Sequence, residues 1–278
     1  VISLTQCQLF NGNTITEYRL IEMNRILAIL FYFCFSIVSF ADTTIIVLTS
    51  DTGYTGQAWR YTGVGKPLDE PTIQKYWNED KYITSIAYTS HGWFFAMNQG
   101  VKWTNQSYRQ SSSWPDSFVQ EKKNAGYMIT SLASSDTQWV VVMSKNTDMT
   151  DQQVCSAPWS NLKDWIKQWW DKNYYITSIA CQNGLWTVVM SKTSRYTAQS
   201  YMWANTADDI VKKIQEYWDK GYLISSLEYG GGEFFCIMSK TEKSANTGQS
   251  RFIKVSEDPT SFIKEGWDKE WNITYIGG

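Results

Sequence analysis

Apolar residues along this chain fall into recurring patterns. One is a short phrase with a polar centre. It reads Tyr82-Ile83-Thr84-Ser85, Tyr127-Met128-Ile129-Thr130-Ser131, Tyr175-Ile176-Thr177-Ser178, Tyr222-Leu223-Ile224-Ser225-Ser226 and Trp271-Asn272-Ile273-Thr274-Tyr275. Its central Ile recurs at steps of 46, 47, 48 and 49 residues. A period in that range is the signature of an array or a propeller. The second pattern is a near-continuous apolar run at 93–97, 139–143, 186–190 and 234–238, of which Trp139-Val140-Val141-Val142-Met143 is typical. Short β-branched runs bounded by turn residues predict strands buried on both faces. A third stretch starts at a glutamine: Gln106-Ser107-Tyr108, Gln152-Gln153-Val154, Gln199-Ser200-Tyr201 and Gln249-Ser250-Arg251. Apolar residues at helical spacing follow, as in Ile73, Tyr76, Trp77 and in Ile210, Ile214, Tyr217, Trp218. Pro, Ser, Asp and Thr near the start of these segments suit first-turn and capping positions. Trp stands six residues before the next central Ile in four copies, and Lys123 takes that place in the other. The resulting Trp ladder (Trp77, Trp170, Trp218, Trp267) is expected in the core.

The ends of the repeat region decide its closure. Residues 44–48 match the second stretch, 57–59 the third and 71–77 the helix, whereas 271–278 hold a lone first stretch. Each element is thus present five times, with one unit divided between the two ends. A last strand that completes a sheet begun by the first removes the open end units a solenoid must cap. The expected fold is mainly β with helices. It is a five-bladed, propeller-like toroid, each blade holding three antiparallel strands plus one helix, closed by pairing of the N- and C-terminal strands. An open solenoid is the competing arrangement.

Composition changes this picture little. The chain has 278 residues, 43% hydrophobic and 19% charged, with a formal net charge of −2. No basic excess asks for nucleic acid. The 16% aromatic content, with 15 Trp and 17 Tyr, reflects re-use of the same aromatic positions in each repeat. The N-terminus reads as a processing segment. Met23-Asn24-Arg25 precedes an apolar run at 26–38, and Ser39-Phe40-Ala41 places small residues at −3 and −1 of a cleavage site. That run is short for a membrane span, which takes about 20 residues. Residues 1–22 are expected to be upstream translation, 23–41 a signal peptide, and 42–278 one five-repeat domain, secreted and free of the membrane after cleavage. An uncleaved anchor is the other reading of 23–41. The cysteines after the leader, Cys155, Cys181 and Cys236, sit at unrelated repeat positions and read as small buried residues.

Three spaced phrases recur together: Trp-Asp-Lys-Gly-Tyr-Leu-Ile-Ser-Ser at 218–226, Trp-Thr-Val-Val-Met-Ser-Lys at 186–192 and Tyr-Thr-Ala-Gln-Ser-Tyr at 196–201. They resemble the C-terminal repeat domain of plant casein-kinase-1-like nuclear kinases, a domain of unknown function. The resemblance runs through essentially all of residues 42–278. It implies the repeat fold and a non-catalytic role, and it supplies no defined site. The chain carries neither a glycine-rich phosphate loop nor a His-Arg-Asp catalytic loop. The leader argues against carrying over a nuclear location.

Candidate chemistry is sparse. His91 is the single histidine, in a Ser-His-Gly-Trp turn, and is expected to be a solvated loop residue. No Cys/His set has metal-ligand spacing, so no metal and no cofactor is expected. Glycoside hydrolysis needs paired carboxylates. The first stretches are neutral apart from Glu228. Two sequons, Asn105-Gln106-Ser107 and Asn272-Ile273-Thr274, fall in predicted strand or turn regions.

A better feature precedes each glutamine: Tyr54-Thr55-Gly56-Gln57, Trp103-Thr104-Asn105-Gln106, Met149-Thr150-Asp151-Gln152, Tyr196-Thr197-Ala198-Gln199 and Asn246-Thr247-Gly248-Gln249. Placed in the hairpin between second and third strands, the motif would ring one face with Tyr54, Trp103, Met149 and Tyr196. Exposed aromatics with polar neighbours suit stacking on sugars or gripping peptide side chains. The ligand-binding set expected is those four residues with Gln57, Gln106, Gln152, Gln199 and Gln249. The competing structural reading has Thr and Gln closing the hairpin and the aromatics covering the sheet end. The function expected is a secreted, non-enzymatic binding module with repeated sites for a glycan or a protein surface. A structural or assembly protein of the cell exterior is the alternative, and an exported hydrolase fits less well.

Overall fold

The near-continuous apolar runs become the central strand of each sheet, because only there are both faces covered and both edges paired. The computed structural model of the chain describes residues 43–255 and 257–278. The expected leader at 23–41 and the segment before it lie outside the described residues. The chain enters through β1 (Thr43–Thr49). One four-element unit then repeats. It reads β2 (Gly56–Tyr61), α1 (Glu70–Trp77), β3 (Tyr82–Thr89), β4 (Gly92–Gln99), then β5 (Asn105–Ser111), α2 (Asp116–Asn124), β6 (Met128–Ser134), β7 (Trp139–Lys145). It continues with β8 (Met149–Ala157), α3 (Trp159–Trp170), β9 (Tyr174–Gln182), β10 (Leu185–Thr193), and with β11 (Ala198–Ala204), α4 (Ala207–Trp218), β12 (Leu223–Gly230), β13 (Glu233–Lys240). The chain closes on β14 (Gln249–Val255), α5 (Thr260–Trp267) and β15 (Asn272–Gly277).

These strands form five three-stranded antiparallel sheets. Their orders are β2-β4-β3, β5-β7-β6, β8-β10-β9, β11-β13-β12 and β14-β1-β15. The last sheet joins the two ends of the described chain: Ile46 of β1 lies opposite Phe252 on one side and Ile276 on the other. The strands carrying the Ile-Thr-Ser phrase contact one another in sequence: β3 with β6, β6 with β9, β9 with β12, β12 with β15, and β15 with β3. Between neighbours a serine hydroxyl replaces a ladder bond, as where Ser131 Oγ accepts from Ile86 N at 3.2 Å and Ser85 Oγ from Ile276 N at 2.8 Å.

One expectation is corrected. The glutamine-led strand does not pair with the apolar strand before it. β5 pairs with β7, not with β4, so the Thr-Gln segment is a crossing from one sheet to the next and not a hairpin. The helices start and stop as their sequences suggest. Thr206 caps α4 by accepting from Asp209 N at 3.2 Å, and Asp69 caps α1 through Thr72 N at 3.2 Å. Left-handed residues follow the helices. Gly126 and Gly221 serve α2 and α4, and Asp80, Asn173 and Glu270 adopt the same conformation after the others. The helix isoleucines Ile73, Ile166, Ile210, Ile214 and Ile263 are buried. The Trp ladder lies at the margin of the core: Trp77, Trp170 and Trp218 are half-buried and packed against core clusters, whereas Trp267 is 40% exposed.

Candidate functional site

The five glutamines all do one job. Gln106, on β5, reaches β3 of the preceding sheet, where its Oε1 accepts from Ile83 N (2.8 Å) and its Nε2 donates to Ile83 O (2.9 Å). Nε2 also donates to Ser144 Oγ at 3.0 Å, and Oε1 accepts a second bond from Trp77 Nε1 at 3.0 Å. An amide has two donors and two acceptor lone pairs, so Gln106 is saturated. Gln199, Gln249 and Gln57 repeat the pattern on Ile176, Ile224 and Ile273. Their indole partners are Trp170, Trp218 and Trp267. Gln152 holds Ile129 in the same way, at 2.7 and 2.8 Å, with Lys123 at the helix position where the others carry Trp. The polar atoms of these glutamines are spent on stapling sheet to sheet, and of the five only Gln249 is among the residues lining the cavity described below. The spacing between Ile and Gln, 23 residues in three copies and 25 from Ile224 to Gln249, was the signal for this pairing.

The staple continues inward. Each first strand carries a β-bulge at its Thr or Ser: pairing skips Thr84, Thr130, Thr177, Ser225 and Thr274. A bulge re-aims a side chain. Here the hydroxyl turns to the middle strand. Thr130 meets Ser144 Oγ at 2.9 Å, Thr177 meets Ser191 Oγ at 2.5 Å, Ser225 meets Ser239 Oγ at 2.7 Å and Thr274 meets Thr49 Oγ1 at 2.7 Å. Thr84 accepts from Asn98 Nδ2. The middle-strand partner in turn accepts from the glutamine, as Ser191 does from Gln152 Nε2 at 2.9 Å.

The five bulged residues line a single cavity of about 790 Å³, contributed to by all five sheets. That volume lies in the range of small-molecule sites, about 300–1,000 Å³. Three of the four large residues expected at the site reach this cavity: Tyr54, Trp103 and Tyr196. All three are half-buried. Trp103 stands edge-on to Tyr82 at 6.4 Å, and Tyr196 to Tyr175 at 5.9 Å. The Tyr54 phenol lies against Thr84. Burial pushes its pKa above the ordinary value, with Arg195 nearby acting in the opposite sense. Met149 does not join them. It is 7% exposed, outside the cavity lining, with its Sδ 3.4 Å from Gln152 Nε2.

Charge at the opening is nearly balanced. Lys102, Arg195 and Lys243 face Asp51 and Asp148 among the lining residues. Arg195 grips Asp148 through two bonds, Nε–Oδ2 at 3.0 Å and Nη2–Oδ1 at 2.5 Å. Desolvation works to raise the Asp148 pKa, and the Arg195 pairing more than offsets it, so the carboxyl sits below its usual range. Tyr275, which replaces the serine of the other phrases, also lines the cavity and donates its hydroxyl to Glu228 Oε1 at 2.9 Å. Glu228 Oε2 accepts from Gly278 N at 3.1 Å. His91 is corrected too: it is no free loop residue, since Nδ1 lies 3.0 Å from Ser90 Oγ and 3.1 Å from Thr44 Oγ1. Among the described residues no group of three or more His, Cys, Asp or Glu could hold a metal ion.

Two consecutive stretches, residues 28–157 and 156–278, match the model of the family described as Domain of unknown function (DUF7477). The chain belongs to that family. Two DUF7477 matches in tandem account for the whole repeat region. The DUF7477 chain is also similar to Casein kinase 1-like protein HD16 of Oryza sativa subsp. japonica, 28% identical over 104 residues. That alignment covers 37% of this chain and 14% of the rice protein.

Proposed function

We propose that this chain is an exported, non-enzymatic binding module, built as a five-bladed propeller-like ring, that takes its ligand at one mouth of an axial cavity. The ring reading is supported by β1 lying between β14 and β15 and by the cycle of contacts through β3, β6, β9, β12 and β15. Export rests on the leader at 23–41. The observation that carries the function is the convergence of Tyr54, Trp103 and Tyr196 on one cavity lined by hydroxyls from every sheet. Aromatic faces beside polar groups are the ordinary make-up of a specific small-ligand site. Because the three side chains meet one cavity, this reading has one axial site in place of several separate sites around the rim. Non-enzymatic action is supported by Glu228, the sole carboxylate on the first strands. Both its oxygens are occupied by protein donors.

A glycan-array screen of residues 42–278, beside a Trp103→Ala/Tyr196→Ala variant with an unchanged thermal midpoint, tests the proposal. Binding by the parent that falls at least tenfold in the folded variant is the expected result. Undiminished binding in that variant would place the ligand elsewhere. Binding of the ring only to other copies of itself would favour assembly.

A further inference from the structure

We propose that the ligand presents a neutral polyhydroxyl group, the end of a carbohydrate chain, and that its hydroxyls sit between two adjacent tiers of side chains inside the cavity. This rests on reading the cavity as the ligand site. The direction of the hydrogen bonds favours such a group. Each glutamine Oε1 accepts from a backbone N–H, so its Nε2 must face the middle strand and donate there. The middle-strand hydroxyl, having accepted, keeps one proton, and we assign it to the bulged hydroxyl 2.5–2.9 Å away. In the β2-β4-β3 sheet the order is forced. Asn98 Oδ1 accepts from Gln57, and Asn98 Nδ2 can only donate to Thr84. The bulged hydroxyls then place their protons on carbonyls of the middle strands, Thr130 on Val142 at 3.5 Å, Thr177 on Val189 at 3.4 Å, Ser225 on Ile237 at 3.3 Å and Thr274 on Val47 at 3.4 Å.

With that assignment every relay runs the same way as the Asn98–Thr84 step, and each ends with a bulged hydroxyl turned to a middle-strand carbonyl. Each such oxygen keeps a lone pair. Thr84 lies against the Tyr54 phenol and is left out of this tier. Thr130, Thr177, Ser225 and Thr274 form a tier of acceptors. On two strands the next residue supplies the opposite. Ser85 and Ser131, also in the lining, use an oxygen lone pair to accept a backbone N–H of the neighbouring sheet and keep their protons. An acceptor tier lies against a donor tier. A carboxylate or phosphate accepts only, and would set its charge against the threonine lone pairs. An ammonium donates only, and would meet the serine protons. An alcohol does both at once, and one that reaches between the tiers satisfies each. The near-balanced charge at the opening and the Tyr54, Trp103 and Tyr196 rings suit the apolar faces of a sugar.

The test is isothermal titration of residues 42–278 with neutral disaccharides (cellobiose, maltose and diacetylchitobiose) against the glucosamine dimer and the galacturonate dimer. At least one neutral sugar should bind, and more tightly than either charged one. Thr177→Val and Ser131→Ala, each checked for an unchanged thermal midpoint, should each weaken that sugar about three- to tenfold, the effect of one lost neutral hydrogen bond. Preferential binding of a charged dimer overturns the inference. So does neutral-sugar binding that Trp103→Ala abolishes but Thr177→Val and Ser131→Ala leave intact, an outcome in which the mouth still stands as the ligand site. Absence of any sugar binding also overturns it. The mouth is then judged separately, by whether Trp103→Ala abolishes binding of a peptide library to the ring.

Discussion

Replacing Gln106 by leucine removes the staple between the first two complete sheets and leaves the side-chain volume nearly unchanged. Gln106 is 7% exposed, and its amide is the bonding partner of both the N–H and the C=O of Ile83. Ile83 itself is fully buried, so neither group has water to fall back on. Each orphaned backbone group costs about 1–3 kcal/mol, and the added apolar burial of leucine returns part of the sum. A net loss of about 2–4 kcal/mol follows. For an unfolding slope of about 3 kcal/mol per molar urea, that lowers the midpoint by roughly 1 M. Hydrogen exchange gives a local readout. The Ile83 amide should lose about a hundredfold in protection, while amides of β12 change only with global stability. Trp77→Phe deletes the indole donor alone and should cost about 1 kcal/mol, an effect that disappears in the Gln106→Leu background because the partner has gone. A Gln106→Leu midpoint within 0.3 M of the parent, with Ile83 protection intact, would refute the staple (the ~0.3 M margin is about 1 kcal/mol at that slope).

The other predictions concern the seam and the copy without an indole. Burial holds Glu228 up at about 8, against an ordinary value of 4.5, even though Gly278 N and Tyr275 bond its oxygens. The folded chain thus keeps this proton more tightly than the unfolded chain. The group's stabilising contribution is full below pH 4.5, declines as pH rises toward 8 and is flat above. The whole span is at most about 5 kcal/mol at 1.36 kcal/mol per unit. Glu228→Gln should flatten the fall in thermal midpoint between pH 5 and pH 9, and parallel curves for parent and variant would contradict this. Lys123→Trp should add the missing indole donor to Gln152 and raise the urea midpoint by the equivalent of about 1 kcal/mol, less what the Lys123–Asp151 contact at 3.9 Å now supplies. A lowered midpoint would show that α2 cannot present an indole there.

Much of the fold was legible because each element repeats a pattern that only one environment satisfies. Val140, Val141 and Val142 in a row need cover on both faces, and the split of one unit between 44–48 and 271–278 pointed to the shared sheet of β1 and β15. Sheet membership of the glutamine-led strand was not legible. A crossing of about five residues between sheets and a hairpin loop have the same length and turn-rich composition. The role of the glutamines was not legible for a related reason. A polar residue at a strand start looks the same whether it faces a ligand or a neighbouring backbone, and only the bonds to Ile83 and its counterparts distinguish them. Tyr54, Trp103 and Tyr196 were found as candidates by repetition, whereas the bulge that turns Thr84, Thr130 and Thr177 toward the same cavity leaves no mark in the hydrophobic pattern.

The proposed ligand enters the cavity at the Tyr54, Trp103 and Tyr196 mouth. Threonine methyl NMR tests it most directly, with residues 42–278 labelled at threonine methyl carbons and titrated with the tightest-binding disaccharide. Thr130, Thr177 and Thr274 lie in the cavity, and Thr260, exposed at the start of α5, serves as the internal control. Saturable shifts at the three cavity methyls with Thr260 unmoved are the expected result. Saturable binding that leaves those three unmoved would contradict it.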